Sequence, residues 1–485
     1  MIDVHDVLIV GAGISGLTAA FRLRRAGLSV LVIEASERVG GAIETYEEAG
    51  FRFELGPNTV LESHPEVSEL LRDAGLADGG DGEKIVASPA AKRRYLWKGD
   101  RLEPLPGGPP GLLRTRLFSF GAKLRLLREP WIRLRSASEI AAQPDETVAA
   151  FVRRRLGSEL LDFAVGPFVS GVYAGDPERL AVRWAVPKIF ALEQSHGSLI
   201  RGAIAGRKGR GPGGAMFSFR DGLETLPRRL AREIGDVRTG WVATAVRPQT
   251  SAHGRIEGFR VETAAGPLSA RRVVLAVPAD VAARLLDEAT GGKAQALGEI
   301  PYAPVAVVSL GVARSQVAHP LDGFGFLAPR RESLRLLGCL FPSTIFPNRA
   351  PKGHVALSAF LGGRTDPEVV DPAIWNDDRL LALVREELGR ALGLSGRPAV
   401  AIVRRWPRAI PQYEVGHGRF VALAEEIERD LPGLHFAGNF LQGVSVPDCI
   451  QNASQVAVQI TRDAKSIKSA VPSGCGSSLS YPTGG

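Results

Sequence analysis

The run Asp6-Val-Leu-Ile-Val-Gly11-Ala-Gly13-Ile14-Ser15-Gly16-Leu17 decides the fold. Val7 to Val10 are apolar and mostly β-branched, which marks a short buried strand. The three glycines follow at G-x-G-x-x-G spacing. Gly11 permits a tight turn, Gly13 lets the backbone approach a pyrophosphate, and Gly16 lets helix and strand pack closely. Ile14 and Ser15 then open a helix whose N-terminus stabilises phosphate charge. That helix runs through Thr18 to Arg25 and is closed by Gly27. A second apolar strand, Val30 to Ile33, ends at Glu34, 18 residues beyond Gly16. A carboxylate at this place accepts from ribose hydroxyls and disfavours a 2′-phosphate, so NADP is not expected.

Outward from this unit the sequence points to a longer nucleotide. In Glu34-Ala35-Ser-Glu-Arg38-Val-Gly40-Gly41 a second glycine pair allows another close backbone approach, and Arg38 is placed to neutralise a diphosphate. Phe51-Arg-Phe-Glu-Leu-Gly56-Pro57-Asn58 reads as a strand and a tight turn. The chain returns to the nucleotide much later. Leu434 to Ala437 is a strand ending at Gly438-Asn439, and beyond Gly443-Val444-Ser-Val446-Pro447-Asp448 a helix runs from Cys449 to Arg462. Its N-terminus is suited to the pyrimidine end of a flavin, where reduction builds negative charge. A site assembled from both chain ends suits FAD. There is no second strand-linked G-x-G-x-x-G for a pyridine nucleotide, and Gly209 to Gly214 reads as a flexible linker. Electrons are therefore expected to leave to dioxygen or a quinone, as in a flavoprotein oxidase or dehydrogenase.

The 485 residues suggest about three domains or subdomains. The three cysteines form no CxxC pair and the eight histidines no HxxxH pair, so no metal is expected. No apolar stretch is long enough to span a bilayer, and acidic Asp3 and Asp6 stand where a secretory signal would be basic. A reducing cytoplasmic setting is the expectation. Residues 466–485, rich in Ser, Gly and Pro, read as a disordered tail. Between Ala91 and Arg135 twelve Lys and Arg face three acids, a local excess of +9 within a whole-chain balance of +8. From Leu112 to Arg135 the basic residues alternate with leucines, Phe118 and Trp131. Two readings stay open here, a solvated helix face and a surface for anionic lipid headgroups. Aromatics are too sparse, and recognition motifs absent, for a nucleic-acid partner.

With these motifs the chain resembles the FAD-dependent amine-oxidase-like superfamily, and within it the oxygen-dependent protoporphyrinogen oxidases. The likeness runs from about Val7 to Arg462. Its more specific marks are Phe53-Glu-Leu-Gly56-Pro57-Asn58, Ala91-Lys-Arg-Arg94-Tyr95, Ser170-Gly171-Val-Tyr-Ala-Gly175-Asp176 and Ile300-Pro-Tyr-Ala-Pro-Val305. Gly323-Phe-Gly-Phe-Leu327, Trp406-Pro407 with Ile410-Pro-Gln-Tyr413, and Ala437-Gly438-Asn439 complete the set.

The resemblance implies an α/β fold. A Rossmann-type FAD-binding domain (1–90, 215–295 and 430–465) is interleaved with a mixed-sheet substrate domain (296–429). A mostly helical, basic, membrane-associated part spans 91–214. Cofactor contacts are implied for Gly11, Gly13, Ile14, Ser15, Gly16, Glu34, Ala35, Arg38, Gly40, Gly41, Gly56, Pro57, Asn58, Trp406, Gly438, Asn439, Val444 and Val446. FAD is expected to be non-covalent, because 438–443 contains no cysteine.

For the substrate, Arg94 matches an arginine that pairs with a propionate. Leu327 and Leu340 match leucines that sandwich a pyrrole ring, Phe360 an aromatic that stacks on another, and Gly171 a glycine close to the macrocycle. The implied reaction takes protoporphyrinogen IX to protoporphyrin IX in three two-electron steps. Flavin N5 is the hydride acceptor, and dioxygen is reduced to hydrogen peroxide at each step. No general base is identified in the chain. Coproporphyrinogen III oxidation and, further off, flavin amine oxidation are the rivals. The expected setting is peripheral, on the cytoplasmic face of the inner membrane, with a homodimer left open.

Overall fold

A computed structural model of the chain describes residues 5–77, 83–143, 145–207 and 214–470. His5–Val10 and Val30–Ile33 pair in parallel at the centre of a seven-stranded sheet. Val237–Arg238 extends it on one side and Leu268–Leu275 on the other. Leu268–Leu275 then carries Leu434–Phe436 in parallel and an antiparallel ribbon of Ile256–Thr263 and Ala243–Thr250. Alternating residues of these strands face opposite layers. Val7, Ile9, Val30 and Val32 pack with helices Ile14–Arg25, Thr225–Ile234 and Val446–Ala470. Leu8, Val10, Leu31 and Ile33 pack against Ala279–Leu285 and Gly418–Asp430.

The second seven-stranded sheet is mixed. In order it contains Val400–Pro411, Tyr302–Ala313, His354–Gly362, Gly338–Leu340, Gly325–Leu327, Tyr95–Trp97 and Leu102–Pro104. One face, through Ala306, Val308, Ala359 and Cys339, is covered by helix Asp377–Leu392. The opposite face is divided. At one end the hairpin Thr45–Glu54 seats Phe51 and Phe53 on Ala356 and Val400, so closely that a Cβ on Gly311 would lie 2.7 Å from the Phe51 ring. The other end carries Leu327, Phe360, Val305, Val307 and Trp406.

The helical part has its own core of Val148, Phe151, Val152, Leu161, Val169 and Leu180. Within it Arg155 and Glu129 form a wholly buried ion pair, joined by Glu193. Arg155 also donates to the carbonyls of Ile132 and Gly197. Loss of either partner strands the other charge, at a cost of about 3–5 kcal/mol.

Three boundaries differ from the sequence reading. Residues 95–97 and 102–104, expected in the helical part, are the last two strands on one side of the second sheet, with 102–104 at its edge. Helix Gly418–Asp430, expected with the substrate domain, buries Phe420, Ala424 and Ile427 in the core of the first sheet. The last helix reaches Ala470, five residues into the expected tail, because its 3.6-residue apolar period carries it past Arg462. Residues 208–213 of the Gly-rich linker and 471–485 of the tail lie outside the described residues.

Candidate active site

Gly13, Gly40 and Gly41 come together at the N-terminus of helix Ile14–Arg25. Gly40 N–H donates to the Ala12 carbonyl at 2.8 Å, Gly13 and Gly40 form a parallel bridge, and a Cβ on Gly41 would stand 3.3 Å from Gly13 Cα. A Cβ on Gly11 would strike the Ala276 carbonyl, and one on Gly56 the Ala42 carbonyl. These positions are therefore sealed by the protein's own backbone. Gly13 is the exception, since a Cβ there meets nothing within 4 Å. It opens onto space beside the helix N-terminus, where backbone N–H groups await an anion. Glu34 ends the second strand, accepting from Ala12 N–H at 2.7 Å through Oε2 and from Ser36 N–H at 2.9 Å through Oε1. Ala35 lies beside it, exposed. An open glycine, a helix N-terminus and an oriented carboxylate fit an adenine dinucleotide.

Arg38 departs from its expected role. Its guanidinium donates to the carbonyls of Val39, Ile43 and Gly41 and pairs with Glu44 at 3.1 Å. It closes the 39–44 turn, and the turn's backbone, not this charge, is what it presents.

The remaining residues expected at the cofactor lie beyond this turn. Asn58 Nδ2 donates to the Gly56 carbonyl at 3.0 Å, which with Pro57 between them tightens the turn. Trp406 Nε1 donates to the Leu55 carbonyl at 2.7 Å and so ties the second sheet to that turn. Gly438 and Asn439 follow Phe436, and the loop is shut by Gly443, whose Cβ would collide with Asp448. Ser445 Oγ donates to Asp448 Oδ2 at 2.5 Å, and His64 Nε2 meets Asp448 Oδ1 at 3.1 Å. Val444 is half-buried and Val446 buried at the start of the last helix.

The proposed substrate residues converge through register. Leu96, Leu327, Gly338, Phe360 and Val307 stand opposite one another on successive strands. Leu340, two residues from Gly338, shares their face. Gly338 is fixed as glycine between Leu327 and Phe360, because a Cβ there would lie 2.4 Å from the Phe326 carbonyl oxygen. Across from this row, helix Gly166–Tyr173 brings Gly171 up to Leu327, with Phe168 and Val172 exposed on the same helical face at 47% and 42%. Leu340 packs with Phe324, and the Arg94 guanidinium lies 5.3 Å from the Phe324 ring centroid. Arg94 is exposed and makes no ion pair among the described residues, whereas Arg93 is held by Asp322. Arg94 is thus the residue of the basic triplet that register places at the edge of the apolar face.

Phe168 and Val172 were missed in the sequence. Their signal is two bulky apolar residues at i−3 and i+1 of Gly171, a spacing that becomes a surface only on a helix.

Comparison with known proteins matches residues 14–461 to the family described as flavin containing amine oxidoreductase. The chain belongs to this family. The chain is 35% identical to chloroplastic protoporphyrinogen oxidase 1 of Arabidopsis thaliana, over 94% of this chain and 88% of that protein. It is 30% identical to coproporphyrinogen III oxidase of Bacillus subtilis, over 92% and 95%. The crystal structure of an Exiguobacterium protein assigned provisionally as a protoporphyrinogen oxidase is similar at a TM-score of 0.78 and 26% identity, covering 96% of this chain and all of that one. FAD is the cofactor that this family membership and the glycine cradle share.

Proposed function

We propose that this protein oxidises a porphyrinogen to a porphyrin in haem biosynthesis, with protoporphyrinogen IX as substrate and dioxygen as final acceptor. The observation that carries the reading is the cross-strand row Leu327–Gly338–Phe360 facing Gly171, with the unpaired Arg94 at its edge. A porphyrinogen is a broad apolar ring with peripheral carboxylates, and it needs such a wall and such a rim. Curated relatives named for this oxidation match nearly the full chain.

FAD held non-covalently at the glycine cradle supplies hydride acceptance at N5 and reoxidation by dioxygen. The chain's part is binding and orientation. Leu327, Leu340 and Phe360 give the ring apolar faces, and the close seat of Gly171 on Leu327 sets the width beside them. Arg94 fixes one propionate by a charge-assisted bond. Leu96, Leu327, Leu340, Phe360 and Val307 offer no proton acceptor, and burial keeps the nearby Tyr173 hydroxyl protonated by raising it to about 12. With Arg93 engaged by Asp322, the triplet leaves Lys92 and Arg94 for the rim, a pair of cations that suits a dicarboxylate better than a tetracarboxylate. Anaerobic mixing tests this reading. Protoporphyrinogen should bleach the flavin band, and a band that persists would overturn the proposal.

The basic segment is read as a peripheral membrane contact. Phe120, Leu127 and Trp131 are 81%, 60% and 77% exposed, with Leu124 and Leu134 on the same stripe and Arg114, Arg116 and Arg128 exposed around it. No helix of the described residues is long and apolar enough to cross a membrane. Anionic vesicles should co-sediment the protein at low salt and release it at high salt. No binding at low salt would remove this contact, and with it the placement on the inner membrane's cytoplasmic face.

A further inference from the structure

Gln412, Tyr413 and His417 lie in the turn between strand Val400–Pro411 and helix Gly418–Asp430, and each is 1% exposed. Their side chains do not pack as ordinary core. The Tyr413 hydroxyl donates to the Asn439 carbonyl, and His417 Nε2 meets the Leu441 carbonyl at 2.8 Å. Two alternate carbonyls of the 438–445 loop are therefore held by one turn. A ring nitrogen facing a carbonyl carries the hydrogen, so Nδ1 of His417 is an acceptor, and it has no partner among the described residues. A buried unpaired acceptor costs free energy, and the bond that Nε2 makes to the loop goes against that cost.

Neither donor can swing away. The Tyr413 and His417 rings lie 4.5 Å apart, and Trp184 and Phe420 pack on the imidazole at 5.5 and 5.9 Å. Burial keeps the tyrosine protonated and the histidine neutral.

The same turn reaches the substrate wall. Gln412 Nε2 donates to the Tyr173 carbonyl at 2.8 Å, at the end of the helix that carries Gly171, and Ala181 N–H donates to the Tyr413 carbonyl at 2.8 Å.

We propose that Gln412–His417 is a positioning turn that sets the flavin loop and the Gly171 wall against each other. Tyr413 and His417 engage the Asn439 and Leu441 carbonyls, so these oxygens are not offered to a ring that becomes electron-rich on reduction. Gln412 fixes the end of the wall helix to the same element. The inference rests on the reading of 438–446 as the flavin loop.

The test uses the full-length protein stripped of FAD and reconstituted. Wild-type apoprotein that fails to take up FAD would overturn the loop reading itself. With that established, Tyr413→Phe, which keeps the ring and removes the donor, should weaken FAD binding about tenfold, the size of one lost hydrogen bond, and lower the flavin midpoint potential. His417→Ala should do the same, with partial rescue by His417→Gln, whose amide restores a donor. Gln412→Leu should leave FAD affinity within about twofold and raise the porphyrinogen KM about fivefold or more. Circular-dichroism melts of each apoprotein identify variants that fail to fold. If Tyr413→Phe does, the histidine pair decides the outcome. Unchanged affinity and potential in the folded loop variants, or an unchanged KM in Gln412→Leu, would overturn the proposal.

Discussion

Gly171 and Leu327 face each other so closely that a Cβ on the glycine would lie 2.6 Å from Leu327 Cδ2. The glycine sits on a helix of the basic part and the leucine on a short strand of the mixed sheet. The width of the proposed substrate cleft is set at this contact. Gly171→Ala should push the leucine into the cleft and raise the porphyrinogen KM about tenfold or more, as expected for one methyl group in a fitted pocket. Steady-state kinetics, with flavin content measured alongside, checks this. A lost flavin signal would place the damage elsewhere.

Arg94 and Arg93 are adjacent, but only Arg93 has a carboxylate partner, Asp322. Arg94→Ala should therefore raise KM by about 10–100-fold, the range of a charge-assisted bond worth roughly 1.5–3 kcal/mol. Arg93→Ala should leave KM nearly unchanged. Parallel KM measurements separate the two, and equal effects would mean that the rim is a diffuse positive field.

The cofactor cradle yields a contrast between two glycines. Gly56→Ala drives a Cβ into the Ala42 carbonyl and should destabilise the apoprotein itself, whereas Gly13→Ala meets no protein atom within 4 Å. The second variant should keep the apoprotein melting temperature and lose FAD affinity. Calorimetry of apoprotein with FAD titration measures both.

Much of this cradle was legible in the sequence, because Gly11 to Glu34 form one local strand–turn–helix–strand unit whose glycines act through their own backbone. Arg38 was not. Its partners are three carbonyls of a turn it helps to create, and only the folded loop shows that its donors are used. The proposed substrate wall was named, residue by residue, through the family resemblance but not as a surface. Leu327, Gly338 and Phe360 meet through strand register, a non-local property. The strands 95–97 and 102–104 were hidden among basic residues that mark a surface without fixing its secondary structure. Helix Gly418–Asp430 shows the same limit, since its apolar stripe does not say which sheet it covers.

Glu54 gives a pH prediction. It is buried beside Thr45 Oγ1 at 2.7 Å and Leu223 N–H at 2.9 Å, with Arg349 3.6 Å away, and burial outweighs these partners to push it up to about 7. A carboxyl raised in the folded state binds its proton more tightly there than in the unfolded chain. Its contribution is therefore fully present below the unfolded value near 4.5 and is lost as pH rises through about 7. Glu54→Gln should flatten the fall in melting temperature across that window. An unchanged pH profile would show that Glu54 titrates normally.

The most direct measurement follows porphyrin fluorescence in air with chemically reduced protoporphyrinogen and coproporphyrinogen, side by side, on the FAD-loaded protein. The account predicts rapid porphyrin formation from protoporphyrinogen, slower formation from coproporphyrinogen, and peroxide released with the product. A preference for coproporphyrinogen would keep the flavin chemistry and reverse the substrate assignment. Bound FAD with neither porphyrinogen oxidised would contradict the account.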